Sequence, residues 1–149
     1  SLPYIVATLL RKAIEQRTAD WRALMLLPAD YSDVALAHPL TRQLMTRVAL
    51  HHGGHEFDRR YPEGIPTEVT VEHATRGPLS SGLIMFPTGH AGNTTAPLQQ
   101  LLQHKWEALA ALAVDDVPAA LARWTNLANK SAAAIRELWN VRIKNVRQE

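Results

Sequence analysis

The hydrophobic period of this chain changes twice, and this constrains its fold more than any other feature. Up to about Val48 apolar residues recur at helical spacing. Ile5, Leu9 and Ile14 do so with Val6, Leu10 and Ala13 beside them, and Leu40, Leu44, Met45 and Val48 follow. At Thr67 the period becomes two: Thr67, Val69 and Val71 alternate with Glu68, Thr70 and Glu72, as in a half-buried strand. After Pro97 helical spacing returns in Leu98, Leu101, Leu102, Trp106, Leu109 and Leu112. Helices on both sides of one short β region predict an α+β fold rather than a βαβ alternation.

Punctuation residues divide these stretches. Ser1 as cap and Pro3 in the first turn open a helix running to Gln16. Thr18 and Asp20 cap a helical turn over 21–27, ended by Pro28; 29–38 reads as loop, and Pro39 starts a second amphipathic helix of about ten residues. Residues 48–51 are expected to begin turning into a strand. His52-Gly53-Gly54-His55 is a flexible joint and 59–66 is irregular. Ala74–Pro78 forms a turn between the strand at Thr67 and a second, more apolar one over Leu79–Phe86, which Pro87 stops, so a β-hairpin is predicted. Asp115 or Asp116 caps a helix with Pro118 in its first turn, and a third C-terminal helix starts near Ser131.

Composition excludes several classes of function. The 149 residues suffice for one domain or two small pieces, and 46% apolar content argues against disorder. The net charge of +2 comes from cations spread along the chain rather than from a basic block, against nucleic-acid binding. Without cysteine there is no disulfide framework, thiolate zinc site or cysteine nucleophile, as suits a reducing cytoplasm. No run reaches the roughly 18 apolar residues of a membrane span, and no signal peptide is visible.

Few side-chain groups carry chemistry by themselves. His51, His52 and His55 approach zinc or nickel spacing, but Gly53 and Gly54 interrupt them and there is no HExxH, so no metal site is assigned. Asp115 and Asp116 are explained by helix capping, Asp30 and Asp33 lie in a loop with no apolar setting, and Glu68 and Glu72 form the wet face of a strand. Gly89–Asn93 lacks the glycines and the Lys-Ser/Thr pair of a phosphate cradle. Its His90 is placed either to meet an anionic substrate or simply in a surface turn. Trp21, Trp106, Trp124 and Trp139, all on helical segments, read as packing residues. From the residues alone, no self-sufficient active site emerges.

Four segments in order carry a resemblance. These are Ser1-Leu2-Pro3-Tyr4 into a helix; His38-Pro39-Leu40 through Met45-Thr46-Arg47-Val48; Tyr61-Pro62 with Ile65-Pro66-Thr67-Glu68-Val69-Thr70-Val71; and Pro87-Thr88-Gly89-His90 with Asn93, Pro97 and Lys105-Trp106. In that order and spacing the chain resembles the MmgE/PrpD family, the 2-methylcitrate dehydratase group. It departs from the pattern in lacking the Asp-Gly that closes the first helix, in a longer 11–33 stretch, and in having Arg76-Gly77 at the hairpin turn.

The resemblance implies a two-part enzyme whose all-helical domain lies largely upstream of Ser1. Residues 1–94 would form the lid, a two-layer α/β sandwich, and 95–149 a helical tail returning to the helical domain. It also implies a cytoplasmic homodimer, without metal or cofactor and with no nucleic-acid or membrane partner. That enzyme acts on a small polycarboxylate such as 2-methylcitrate, in propionate catabolism, by proton abstraction next to a carboxylate. Epimerase and decarboxylase chemistry belong to the same scaffold, and a non-catalytic lid-like binding or assembly module is the alternative. This portion alone would be inactive. Ser1 and Tyr4, with His90, are the expected substrate-binding groups, Tyr4 as a hydrogen-bond or proton donor or else as a helix-packing residue. A helix over 98–112 that packs on a missing domain would leave its apolar stripe bare, and self-association is expected.

Overall fold

The computed structural model describes Ser1–Lys144, and its chain forms two compact units, Ser1–Leu98 and Gln99–Glu149. The fold is helical with one small antiparallel sheet, which is α+β.

In the first unit α1 spans Leu2–Gln16, with Pro3 in its opening turn and Ser1 as N-cap, whose carbonyl accepts from the Ile5 N–H. It ends on Arg17, which takes a left-handed φ of 51° and returns its N–H to Ala13 O. Glycine usually fills that place; arginine there carries the steric penalty of the left-handed region. Its buried stripe is Tyr4, Ala7 and Thr8, and it packs against α4 (Pro39–Met45), whose buried residue is Thr41. Between them α2 (Trp21–Leu24) is capped by the Asp20 carboxylate, which accepts from Arg22 N at 3.2 Å. The expected loop over 29–38 is instead a 3-10 turn, Pro28–Tyr31, followed by α3, Asp33–Leu36, with Ser32 Oγ accepting from Ala35 N. Proline at the first position and serine at the cap are enough to wind these residues, each too short to show a period. No strand forms at 48–51, while α5 (His55–Asp58) follows the glycine pair.

The hairpin forms, but shorter than expected. Strand β1, Thr70–His73, pairs antiparallel with β2, Gly77–Ser80, with Val71 opposite Leu79 and Thr70 opposite Ser80. At the turn His73 Nδ1 accepts from the N–H of both Thr75 and Arg76, and Gly77 sits at φ +73°. Past Ser80 the pairing loosens into a bulge and resumes at Thr67 and Ile84, with Ile65 N donating to Met85 O. The expected strand over 79–86 therefore stops at Ser80. Burial also differs from expectation: Val69, Val71 and Leu79 are all about half exposed, so the sheet face meant for a core is uncovered. Two strands alone cannot bury a face; a third layer is what the alternation anticipates.

In the second unit α6 (Leu98–Ala113) is followed by α7 (Val117–Ala122). Of the two candidate caps the structure uses Asp116, accepting from Ala119 N at 2.9 Å. A 3-10 turn at Leu127–Asn129 precedes α8 (Ala132–Arg136), capped by Ser131, and a second closes over Glu137–Trp139. Among its described residues the buried apolar ones are Val114 and Leu138, while Leu102, Trp106 and Leu112 of α6 stay exposed. Of the tryptophans expected to pack, Trp106, Trp124 and Trp139 stand at the surface. Among the described residues no helix is long and apolar enough to cross a membrane.

Candidate functional site

Tyr4 faces inward from the first turn of α1. It is 4% exposed, its ring meets Tyr31 at 5.9 Å between centroids, and its hydroxyl donates to the backbone carbonyl of Asp30. Asp30 is the organising residue of this region. Its Oδ2 accepts from Lys12 Nζ at 3.0 Å and from Leu27 N at 2.9 Å, while Oδ1 lies 3.8 Å from Arg11. Lys12 also donates to Met25 O at 3.0 Å. Far from lying in an open loop, this carboxylate is 14% exposed and paired. One and two turns along α1 from Tyr4, Thr8 and Arg11 continue the same face. Arg11 reaches Glu15 at 3.2 Å, and Glu15 in turn lies 3.5 Å from Nε2 of His38, the N-cap of α4.

Such an arrangement fastens the 25–31 segment to α1 more readily than it moves protons. Asp30 accepts two hydrogen bonds through Oδ2 and faces two cations, which ties its carboxylate to α1 and to Leu27. The seam between α1 and α4 is unusual in another way. Thr8 Oγ1, Arg11 Nε, His38 Nδ1 and Thr41 Oγ1 are all buried without a hydrogen-bond partner. These are two i,i+3 pairs, one on each of two packed helices, in a place where buried polar atoms are normally satisfied.

His90 belongs to a different part of the unit. It lies in the turn after Pro87, stacks on Phe86 at 5.0 Å, and accepts from Gly92 N through Nδ1 at 3.0 Å. An accepting Nδ1 places the proton of the neutral ring on Nε2, leaving a donor. Gly92 is required here, since a Cβ would meet the Phe86 ring at 2.9 Å. Asn93 braces the loop, donating to Phe86 O and accepting from the N–H of Thr95 and Ala96. Beside it is an open cleft of about 640 Å³ lined by Thr67, Met85, Phe86, Thr88 and Asn93, with no charged residue in its wall.

The three expected substrate-binding residues thus fall in two places. Ser1 and Tyr4 share the start of α1, Ser1 exposed and Tyr4 buried; the contacts of His90 are with Phe86 and Gly92 instead. Sequence reading missed the Lys12–Asp30–Arg11–Glu15–His38 network. Only the i,i+4 spacing of Arg11 and Glu15 signals it. Among the described residues, no three His, Asp or Glu side chains are grouped to hold a metal ion, the His51–His55 segment included. Comparison with known proteins returns nothing: no family model, curated protein or solved structure matches this chain.

Proposed function

We propose that this chain is the lid and C-terminal tail of a metal-free lyase of the MmgE/PrpD type. Its substrate is a small polycarboxylate such as 2-methylcitrate, dehydrated after proton abstraction next to a carboxylate. The observation that carries the reading is the order of four segments over nearly the whole chain, from Ser1-Leu2-Pro3-Tyr4 to Pro87-Thr88-Gly89-His90 and Lys105-Trp106. The bare Val69–Val71–Leu79 face and the exposed α6 residues accord with it, because a two-layer sandwich and an upstream helical domain would cover them. On this reading the base lies outside Ser1–Glu149, the tail returns to the helical domain, and the enzyme is a cytoplasmic homodimer.

Tyr4 would then act as a donor to the charge that builds on the substrate carboxylate, after leaving the Asp30 carbonyl it now binds. His90, with its proton on Nε2, would offer a second donor to an anionic group. Turnover of 2-methylcitrate, citrate, cis-aconitate and iminodisuccinate by the polypeptide with its upstream coding sequence is the test. Loss of water from 2-methylcitrate supports the reading, proton exchange or decarboxylation moves it to an epimerase or decarboxylase, and inactivity on all four refutes it. Tyr4→Phe should lower kcat about 100-fold with little change in KM if Tyr4 donates in the transition state. A fall in stability alone assigns it to packing.

A further inference from the structure

The cleft of the first unit has no part in the lyase reading, and its walls are chemically distinctive. It measures about 640 Å³, within the range of small-molecule sites, and joins the apolar run 83–87 to four threonines, Thr67, Thr88, Thr94 and Thr95. From Gly77 to His104 the sequence holds no Asp, Glu, Lys or Arg, so the segment that builds most of the wall carries no counter-charge. Glu68, the neighbour of Thr67, accepts instead from Ser80 Oγ at 2.6 Å.

The walls are also fixed in advance. Thr67 and Ile84 exchange backbone hydrogen bonds, Ile65 N donates to Met85 O at 2.8 Å, and His90 N donates to Pro87 O at 2.8 Å. Asn93 closes the loop, its Nδ2 donating to Phe86 O at 2.8 Å and its Oδ1 accepting from the N–H of Thr95 and Ala96. Glycine allows the backbone to come this near Phe86: a Cβ at Gly92 would lie 2.9 Å from its ring, and one at Gly64 3.2 Å.

These same bonds give the cleft its hydrogen-bonding sense. The Thr67 hydroxyl donates to Ile65 O at 3.1 Å and the Thr95 hydroxyl to Asn93 Oδ1 at 3.2 Å, so each keeps only lone pairs for a ligand. The N–H groups of Thr67, Ile84, Gly92, Asn93 and Thr95 are all used within the protein. An anion, which needs donors and a cation, is therefore poorly served. An ion of either sign would lose hydration here without a counter-charge. The Phe86 ring and the Met85 thioether suit an aromatic partner.

We propose that this cleft is a binding site for an uncharged aromatic compound bearing a hydroxyl or N–H donor. The proposal does not rest on the lyase reading. Four naphthalenes of one shape test it: 2-naphthol, 2-methoxynaphthalene, 2-naphthoate and 2-naphthylmethylammonium, each titrated into the chain while its amide resonances are followed. 2-Naphthol should move the amides of Met85, Gly92, Asn93 and Thr95 with a Kd of about 1 mM or tighter. The methoxy compound, which lacks the donor, should bind about threefold more weakly, and both ions about tenfold more weakly or worse. Thr95→Val should weaken 2-naphthol about threefold and leave 2-methoxynaphthalene unchanged. Thr88→Lys, which puts a cation on the wall, should bring 2-naphthoate to within about threefold of 2-naphthol. Binding of 2-naphthoate to the unaltered chain as tightly as 2-naphthol overturns the proposal, as does no movement of these amides at about 2 mM 2-naphthol. So do shifts confined to Leu102, Trp106 or the Trp124–Trp139 pair, or equal loss of 2-naphthol and its methyl ether in Thr95→Val.

Discussion

Replacing Thr41 by valine should stabilise the first unit, although it removes a polar group from a helix. Thr41 lies on α4 against α1, is fully buried, and its Oγ1 finds no hydrogen-bond partner. A buried hydroxyl without a partner costs about 1–3 kcal/mol in lost hydration. Valine has nearly the same shape, the same branching at Cβ and a similar helix propensity, so backbone and rotamer terms largely cancel. The expected gain is about 1 kcal/mol, which for a unit of this size raises the midpoint of thermal unfolding by about 4–8 °C. Native-state hydrogen exchange of the α1 and α4 amides reads this locally, so that the second unit does not dilute the effect. Thr8→Val on the facing helix should behave alike, and the double variant should gain less than the sum if the two hydroxyls share one environment. Thr46→Val is the control: its Oγ1 donates to Gln43 O at 2.8 Å at the surface, and valine should be neutral or slightly worse. Loss of stability in Thr41→Val by more than about 0.5 kcal/mol would show that the hydroxyl is satisfied, and the reasoning about this seam would fail.

Four further outcomes follow from other residues. Arg17→Gly should stabilise α1 by up to about 1 kcal/mol in urea unfolding, because the φ of 51° at the end of α1 suits glycine. Asp30→Asn should cost about 2 kcal/mol, discounted from the full value for a buried pair by its partial exposure, and a cycle with Lys12→Met should show coupling of about 1 kcal/mol. Gly64→Ala should destabilise the start of the hairpin by at least about 1 kcal/mol, since the new Cβ would lie 2.7 Å from the Met85 carbonyl, an atom of the paired backbone; exchange at the Ile65 amide reports it. The Glu56 carboxyl is held below the usual range, first by its hydrogen bond from Arg60 and then by Arg59. Its contribution to α5 is therefore full at neutral pH and lost only as pH falls below the ordinary glutamate range; amide shifts of α5 should show this step, and Glu56→Gln should abolish it.

The parts of this fold legible in the sequence are those that local chemistry determines. Proline and serine at its start locate α1, and the Asp20, Asp116 and Ser131 caps place three further helix starts within a residue or two. The turn at Ala74–Pro78 locates the hairpin for the same reason. The 28–36 segment was illegible because its two turns contain four residues each, less than a hydrophobic period can mark. Burial was misread where a pattern needs a partner: Val69 and Val71 alternate as buried residues do, but alternation records what a strand can cover, not that anything covers it. The region around Tyr4 lay beyond sequence reasoning for another reason. Its hydroxyl meets a backbone carbonyl 26 residues away, and a backbone acceptor leaves no trace in residue identity.

Surface area brings these threads together. Two separate globules of about 98 and 51 residues would expose roughly 9,000 Å² between them, whereas this chain exposes 11766 Å². Among the described residues the buried apolar ones are Tyr4 and Ala7 in one unit and Val114 and Leu138 in the other. A core that small leaves each unit only marginally stable. Apolar side chains that nature leaves bare at this scale are normally covered by another surface. The hairpin face, the α6 stripe and the tryptophan pair are then three requirements for burial rather than three accidents. They differ in kind: the hairpin leaves one sheet face bare, α6 leaves Leu102, Trp106 and Leu112 exposed, and Trp124 and Trp139 meet edge to face at the surface. Stability measured on this chain should consequently rise with whatever binds these faces, by an amount that grows with the logarithm of partner concentration.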